Sequence, residues 1–79
     1  MPVYKLTNLR TRHSYWMLAG SPKHAKTVLL SVLGLKPHNL ADVECGLDFQ
    51  HAPPFGFIEH ENGSLTEIPW DTAGFGLEP

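Results

Sequence analysis

Thiols are almost missing from this chain: Cys45 is its single cysteine. One thiol excludes an internal disulfide and any zinc site built from several thiolates, and it fits a reducing compartment. Long apolar runs are missing as well. No stretch approaches the roughly 18 residues that a membrane helix needs, and MPVYKLTNLR lacks the continuous apolar segment of a secretory leader. A cytoplasmic protein without leader or membrane span is the expectation.

Catalytic signatures are equally scarce. The five histidines (His13, His24, His38, His51, His60) include no His-x-x-x-His pair and no HExxH. No G-x-S-x-G elbow surrounds a serine, and Gly74-Phe75-Gly76 has neither the spacing nor the following helix of a phosphate-binding loop. Cys45 falls on the apolar side of an alternating segment, where a thiol is buried and inert rather than nucleophilic. The paired acids Glu59 and Glu61 read as a solvated strand end. The expectation is therefore a protein that is not an enzyme, with no metal and no cofactor. An enzyme would need a site assembled in the fold, from His51, His60 and Glu59 or in a concave pocket holding two or more of His13, His51, His60 and the acids within hydrogen-bonding reach.

What is present is a division of charge. The net charge of −2 and pI of about 6.2 look bland. Yet all six cations (Lys5, Arg10, Arg12, Lys23, Lys26, Lys36) precede residue 37, and all eight acids (Asp42, Glu44, Asp48, Glu59, Glu61, Glu67, Asp71, Glu78) follow residue 41. With 79 residues and 42% hydrophobic content, the chain fits one small globular domain, here residues 1–72, followed by a Gly-rich tail, 73–79.

Between the two halves lies SPKHAKTVLLSVLG, Ser21 to Gly34, with helix signals at both ends. Ser21 is an N-cap, Pro22 takes the first helical position where a missing N–H costs nothing, and Gly34 suits the left-handed closing residue. Ala25, Val28, Leu29, Val32 and Leu33 recur at helical spacing on one face, and Leu30 interrupts the polar face. Three turns are too few to stand alone, so the helix must pack on something else.

Val3 to Leu9 and Ser14 to Ala19 read as antiparallel strands around a polar loop. In the second of these, Trp16 and Leu18 oppose Tyr15 and Met17, so both faces are apolar and the inward one is undecided. Leu35 to Ala41 is an irregular turn that includes a single helical turn at Pro37 to Leu40. Val43, Cys45, Leu47 and Phe49 then alternate with Glu44, Gly46, Asp48 and Gln50 in the cleanest strand pattern of the chain, ended by HAPP. Phe55 to His60 and Ser64 to Trp70 form a hairpin about Asn62-Gly63, with a two-residue or a three-residue turn. The order β-β-α-β-β-β predicts an α+β two-layer sandwich: a mostly antiparallel sheet of four or five strands with one helix (about 22–33) on one face.

Two surfaces then carry the functional expectations. The first is the sheet face that the helix leaves open, where Glu44, Asp48, Phe57, Glu59, Glu67 and Trp70 would form an acidic plate with aromatic interruptions. Such a plate would bind a protein partner, or a second copy as a homodimer, and would suit a basic surface that normally holds nucleic acid. The second is a basic patch of Arg10, Arg12, His13, Lys23 and Lys26, the alternative expectation of a nucleic-acid-binding module. The layout, with Tyr4, Trp16 and Ala19 leading into SPKHAK and a later strand hairpin, is broadly similar to that of small phage-type inhibitor proteins such as some anti-CRISPR proteins. The similarity is one of layout and assigns no residue a role; it implies a phage-type inhibitor as one form of a non-enzymatic interaction module. That module is the expectation from the missing catalytic set and from more large apolar residues (Tyr15, Trp16, Met17, Phe55, Phe57, Trp70) than one short helix can cover.

Overall fold

The computed structural model describes residues 2–69. Trp70 and the tail 73–79 lie outside the described residues. Five strands, β1 (Val3–Asn8), β2 (His13–Leu18), β3 (Val43–Leu47), β4 (Phe57–His60) and β5 (Leu65–Glu67), form one sheet in the order β3-β1-β2-β4-β5. All four pairings are antiparallel. One helix, α1 (Pro22–Leu33), crosses one face, and a 3-10 helix (Pro37–Asp42) leads from it into β3. This is the small α+β two-layer fold that the element order predicts.

The helix starts and stops on local chemistry. Ser21 Oγ accepts the His24 N–H at 3.1 Å. Gly34 takes φ 74°, its N–H donates to Ser31 O, and Leu35 N–H donates to Leu30 O at 2.8 Å. This pair of bonds ties off the last carbonyls and needs a positive φ that glycine adopts without a Cβ clash. Ala25, Val28 and Leu29 are fully buried, and Val32 and Leu33 are partly buried against the same core. Leu30, the residue that breaks the polar face, is also buried: the 3-10 segment lies over it, and Leu30, Leu35 and Leu40 share an apolar hollow.

The β1–β2 register opposes Tyr4 to Met17 and Leu6 to Tyr15, so these four face the helix, joined by Val43, Cys45 and Ile58. The undecided face of β2 is thereby fixed, with Tyr15 and Met17 inward. In the β4–β5 hairpin His60 N–H donates to Ser64 O and Gly63, at φ 88°, donates to His60 O, leaving a three-residue turn, 61–63. The bulged turn is therefore the one formed.

β1 ends one residue early, β2 shifts back by one residue and the 3-10 helix runs on to Asp42, while the later strands differ more from the sequence pattern. β3 ends at Leu47, and Phe49, expected on the apolar face, is 82% exposed. The last ladder bond is Asp48 N–H to Val3 O, after which Asp48 Oδ1 accepts the Gln50 N–H and turns the chain off the sheet. β4 begins at Phe57 rather than Phe55, because Pro53-Pro54 and Gly56 at φ 86° precede it. β5 ends at Glu67, within the longer run Ser64 to Trp70.

Truncation at the helix–sheet interface tests this core. Leu29→Ala and Met17→Ala should each cost about 2–5 kcal/mol, read as a shift of the urea midpoint, while Ser31→Ala on the exposed side should change it by less than about 0.5 kcal/mol.

Candidate functional site

The open face is built by the residues alternating with the core: Lys5 and Thr7 on β1, Ser14 and Trp16 on β2, Glu44 and Gly46 on β3, Phe57 and Glu59 on β4, and Leu65 and Glu67 on β5. A large indole at the centre of such a face would meet water, yet Trp16 is only 8% exposed. The connection from β3 to β4 covers it. Because β3 lies at one edge and β4 beyond β2, residues 48–56 must cross two strands, and they do so as a strap over the open face.

Trp16 anchors the strap. The His51 ring stacks on the indole with centroids 4.0 Å apart and planes 12° from parallel. Trp16 Nε1–H donates to Asp48 Oδ2 at 2.9 Å, and His51 Nδ1 lies 3.3 Å from the same oxygen. Lys5 Nζ is 5.8 Å from the indole centroid, within cation–π range. The Gln50 backbone N–H and the Trp16 indole N–H, with His51 adding a smaller part, hold the Asp48 carboxyl below the usual carboxylate range.

Of the six residues expected on the acidic plate, the structure brings Phe57, Glu59 and Glu67 together. Phe57 opposes Glu67 and Glu59 opposes Leu65, so acids and apolar groups alternate across β4 and β5. Glu44 shares the face but sits on the far edge, four strands from Glu67. Asp48 is engaged internally by Trp16. Trp70 is outside the described residues.

The basic residues are dispersed. Arg10 lies 3.8 Å from Asp42, and Arg12 is held at φ 65° in the β1–β2 turn, which Asn8 Oδ1 braces by accepting the Arg10 N–H. α1 starts where β2 ends, so Lys23 stands at the opposite end of the sheet from Arg10 to His13, while Lys26 lies beside β3. One continuous basic surface does not form from these five.

One cluster is of the kind an enzyme would need, a concave pocket that joins two histidines to an acid. His13, Ser14, Tyr15, His60, Glu61 and Asn62 line a cleft of about 360 Å³ at the end of the sheet. His13 Nδ1 and Glu61 Oε1 are 3.2 Å apart, and the His60 ring meets Tyr15 edge to face at 5.3 Å. The His13 side chain, then the Ser14 N–H, hold the Glu61 carboxyl below its ordinary range, whereas burial, then Glu61, push the Tyr15 hydroxyl up. His60 Nε2 lies 2.6 Å from Thr66 Oγ1, and His13 and Glu61 are both exposed, so the cleft holds a solvent-facing His13–Glu61 contact beside a histidine whose Nε2 is already bonded. His51 and His60 stand apart, on the strap and on β4. Cys45 is half-buried rather than fully buried, and burial raises its thiol pKa with Lys26 opposing. Among the described residues no group of three or more His, Cys, Asp or Glu is placed to hold a metal ion, and no helix is long and apolar enough to cross a membrane.

Compared with known proteins, the chain matches no family model, no curated protein and no solved structure. Any functional reading therefore stands on its own geometry.

The strap yields a pH prediction. A carboxyl whose folded pKa is depressed contributes fully above its unfolded value of about 4, and the contribution is lost as pH falls through the lower folded value. In a Trp70→Phe background, where Trp16 is the single tryptophan, acid titration should shift Trp16 emission to the red in that window. Asp48→Asn should remove the titration and leave a partly red-shifted emission at neutral pH; an unchanged titration would show that Asp48 does not hold the strap.

Proposed function

We propose that the chain is a non-enzymatic interaction module that binds a protein partner through the part of the open face that the strap leaves uncovered. The observation that carries this reading is the alternation of Phe57, Glu59, Leu65 and Glu67 across β4 and β5. Leu65 is 49% exposed, and Phe49 stands out from the strap beside Trp16's cover. All six cations of the chain lie before residue 37, so β4 and β5 carry none themselves; on the same face Lys5 stands two strands from Glu59, across Trp16.

Apolar anchors ringed by charge of one sign suit a partner with a basic rim and an apolar centre, since burial supplies affinity and complementary charge supplies register and rate. A basic surface that normally holds nucleic acid has this character, and a phage-type inhibitor that occupies such a surface is the class of function the reading favours. The cleft at His13 and Glu61 supports an enzyme less well, because its groups are a solvent-exposed His13–Glu61 contact and a histidine already bonded to Thr66.

The test is affinity capture from the native host, identification of the partner, and titration of the purified pair. Glu59→Lys with Glu67→Lys should weaken binding by about tenfold or more and reduce its salt dependence, and Leu65→Ser should weaken it without altering that dependence. An oligonucleotide known to bind the partner should compete. A partner whose affinity ignores all three substitutions would overturn the proposal.

A further inference from the structure

The two edges of the sheet are unlike. β5 has three residues and Pro69 follows soon after, which blunts it; β3 has five residues and no proline or lysine. Bonds from Leu9 N–H to Asp42 O and from Asp48 N–H to Val3 O fix the ladder between β1 and β3. In an antiparallel ladder alternate residues bond inward, so Glu44 and Gly46 bond to β1, and the backbone groups of Val43, Cys45 and Leu47 point away from the sheet. The Val43 N–H is taken by Leu40 O. The N–H groups of Cys45 and Leu47 and the carbonyls of Val43 and Cys45 are left directed outward along a groove flanked by Lys5 on the open side and Lys26 on the helix side.

Gly46 is unexplained within one chain. It lies in a strand, where glycine is unfavourable, its φ is not positive, and a Cβ built there would meet nothing within 4 Å. Leu47, 56% exposed, is equally unexplained: it follows the core side of β3 but stands at the rim, with no neighbour strand beyond it among the described residues.

We propose that two copies of this chain pair antiparallel through β3, with Cys45 opposite the second copy's Cys45, so that the two sheets become one. In that register the outward groups meet as bonding pairs: each Cys45 N–H donates to the other Cys45 carbonyl, and each Leu47 N–H donates to the other Val43 carbonyl, four bonds in all by symmetry. Leu47 then packs beside the second copy's Val43 on the helix side. On the open side Glu44 falls opposite the second copy's Gly46, whose other neighbour is Lys5. Two strand spacings, about 10 Å between Cα atoms, separate Glu44 from that Lys5, a span their side chains close over the glycine once Lys5 Nζ swings away from the Trp16 ring, whose centroid is 5.8 Å from it in the single chain. The surface is thus complementary to itself in backbone, shape and charge. The two Lys26 side chains, which line the helix side of the groove, are the like charges that pairing brings closer.

This inference does not rest on the open-face reading, since Glu59 and Glu67 are on the far half of the sheet. The test is the mass of the full chain in solution by sedimentation or light scattering from about 1 to 200 µM, with circular dichroism confirming that each variant is folded. The wild type should shift from 8.8 kDa to twice that mass as concentration rises. Glu44→Lys and Lys5→Glu should each weaken the dimer by about tenfold or more, since each turns two attractive pairs into like-charge pairs. Mixing the two variants should restore it, because the introduced lysine of one then faces the introduced glutamate of the other, while the retained Lys5 and Glu44 face each other across the second pair. Lys26→Gln should tighten it. A strict monomer at 200 µM would overturn the proposal, as would a dimer indifferent to Glu44→Lys and Lys5→Glu or one that mixing fails to restore.

Discussion

The structure depends on covering β2 from both sides. This strand lies at the centre of the sheet and carries large apolar side chains on both faces, with Tyr15 and Met17 on one and Trp16 on the other. A central strand of that kind is stable only between two layers, because leaving an indole in water forfeits roughly 1.5–3 kcal/mol of burial. α1 supplies one layer. The other is the strap, which has little secondary structure and holds its place by a stacked imidazole and one indole hydrogen bond.

That arrangement decides which surfaces remain. The strap consumes Asp48, which a count of acids would place on a binding face, and turns it into the acceptor for Trp16. It also covers the centre of the open face, so the acids that remain displayed divide between the Glu44 edge and the β4–β5 half. On the other side of the sheet, α1 runs back from the end of β2, which carries Lys23 away from Arg10 to His13. Charge that is segregated along the chain is therefore only partly segregated in space, with Arg10 beside Asp42 and His13 beside Glu61.

Elements whose signals are local were legible in the sequence. Ser21, Pro22 and Gly34 mark α1 within a few residues of where each acts, and Asn62-Gly63 marks the hairpin for the same reason. Signals that are tertiary were not. Alternation through Phe49 implies a longer β3, but the chain leaves the ladder after Asp48, whose carboxylate accepts from the Gln50 N–H and from an indole 32 residues earlier in the chain. The inward face of β2 was undecidable because both faces were destined for burial, one beneath a segment with no apolar period of its own. Within the candidate site, the placement of Glu59 and Glu67 on one face follows from strand alternation and the turn length, whereas His51 had no signal beyond its spacing of three from Asp48.

The strap therefore sets which part of the open face stays displayed, and the stack of His51 on Trp16 is its most direct signature. Proton NMR of the full chain measures it. The account predicts His51 ring protons moved upfield by the indole ring current, with nuclear Overhauser contacts between the two rings that His51→Ala removes while α1 and the sheet persist. His51 protons at random-coil shifts, with no contact to Trp16, would contradict it.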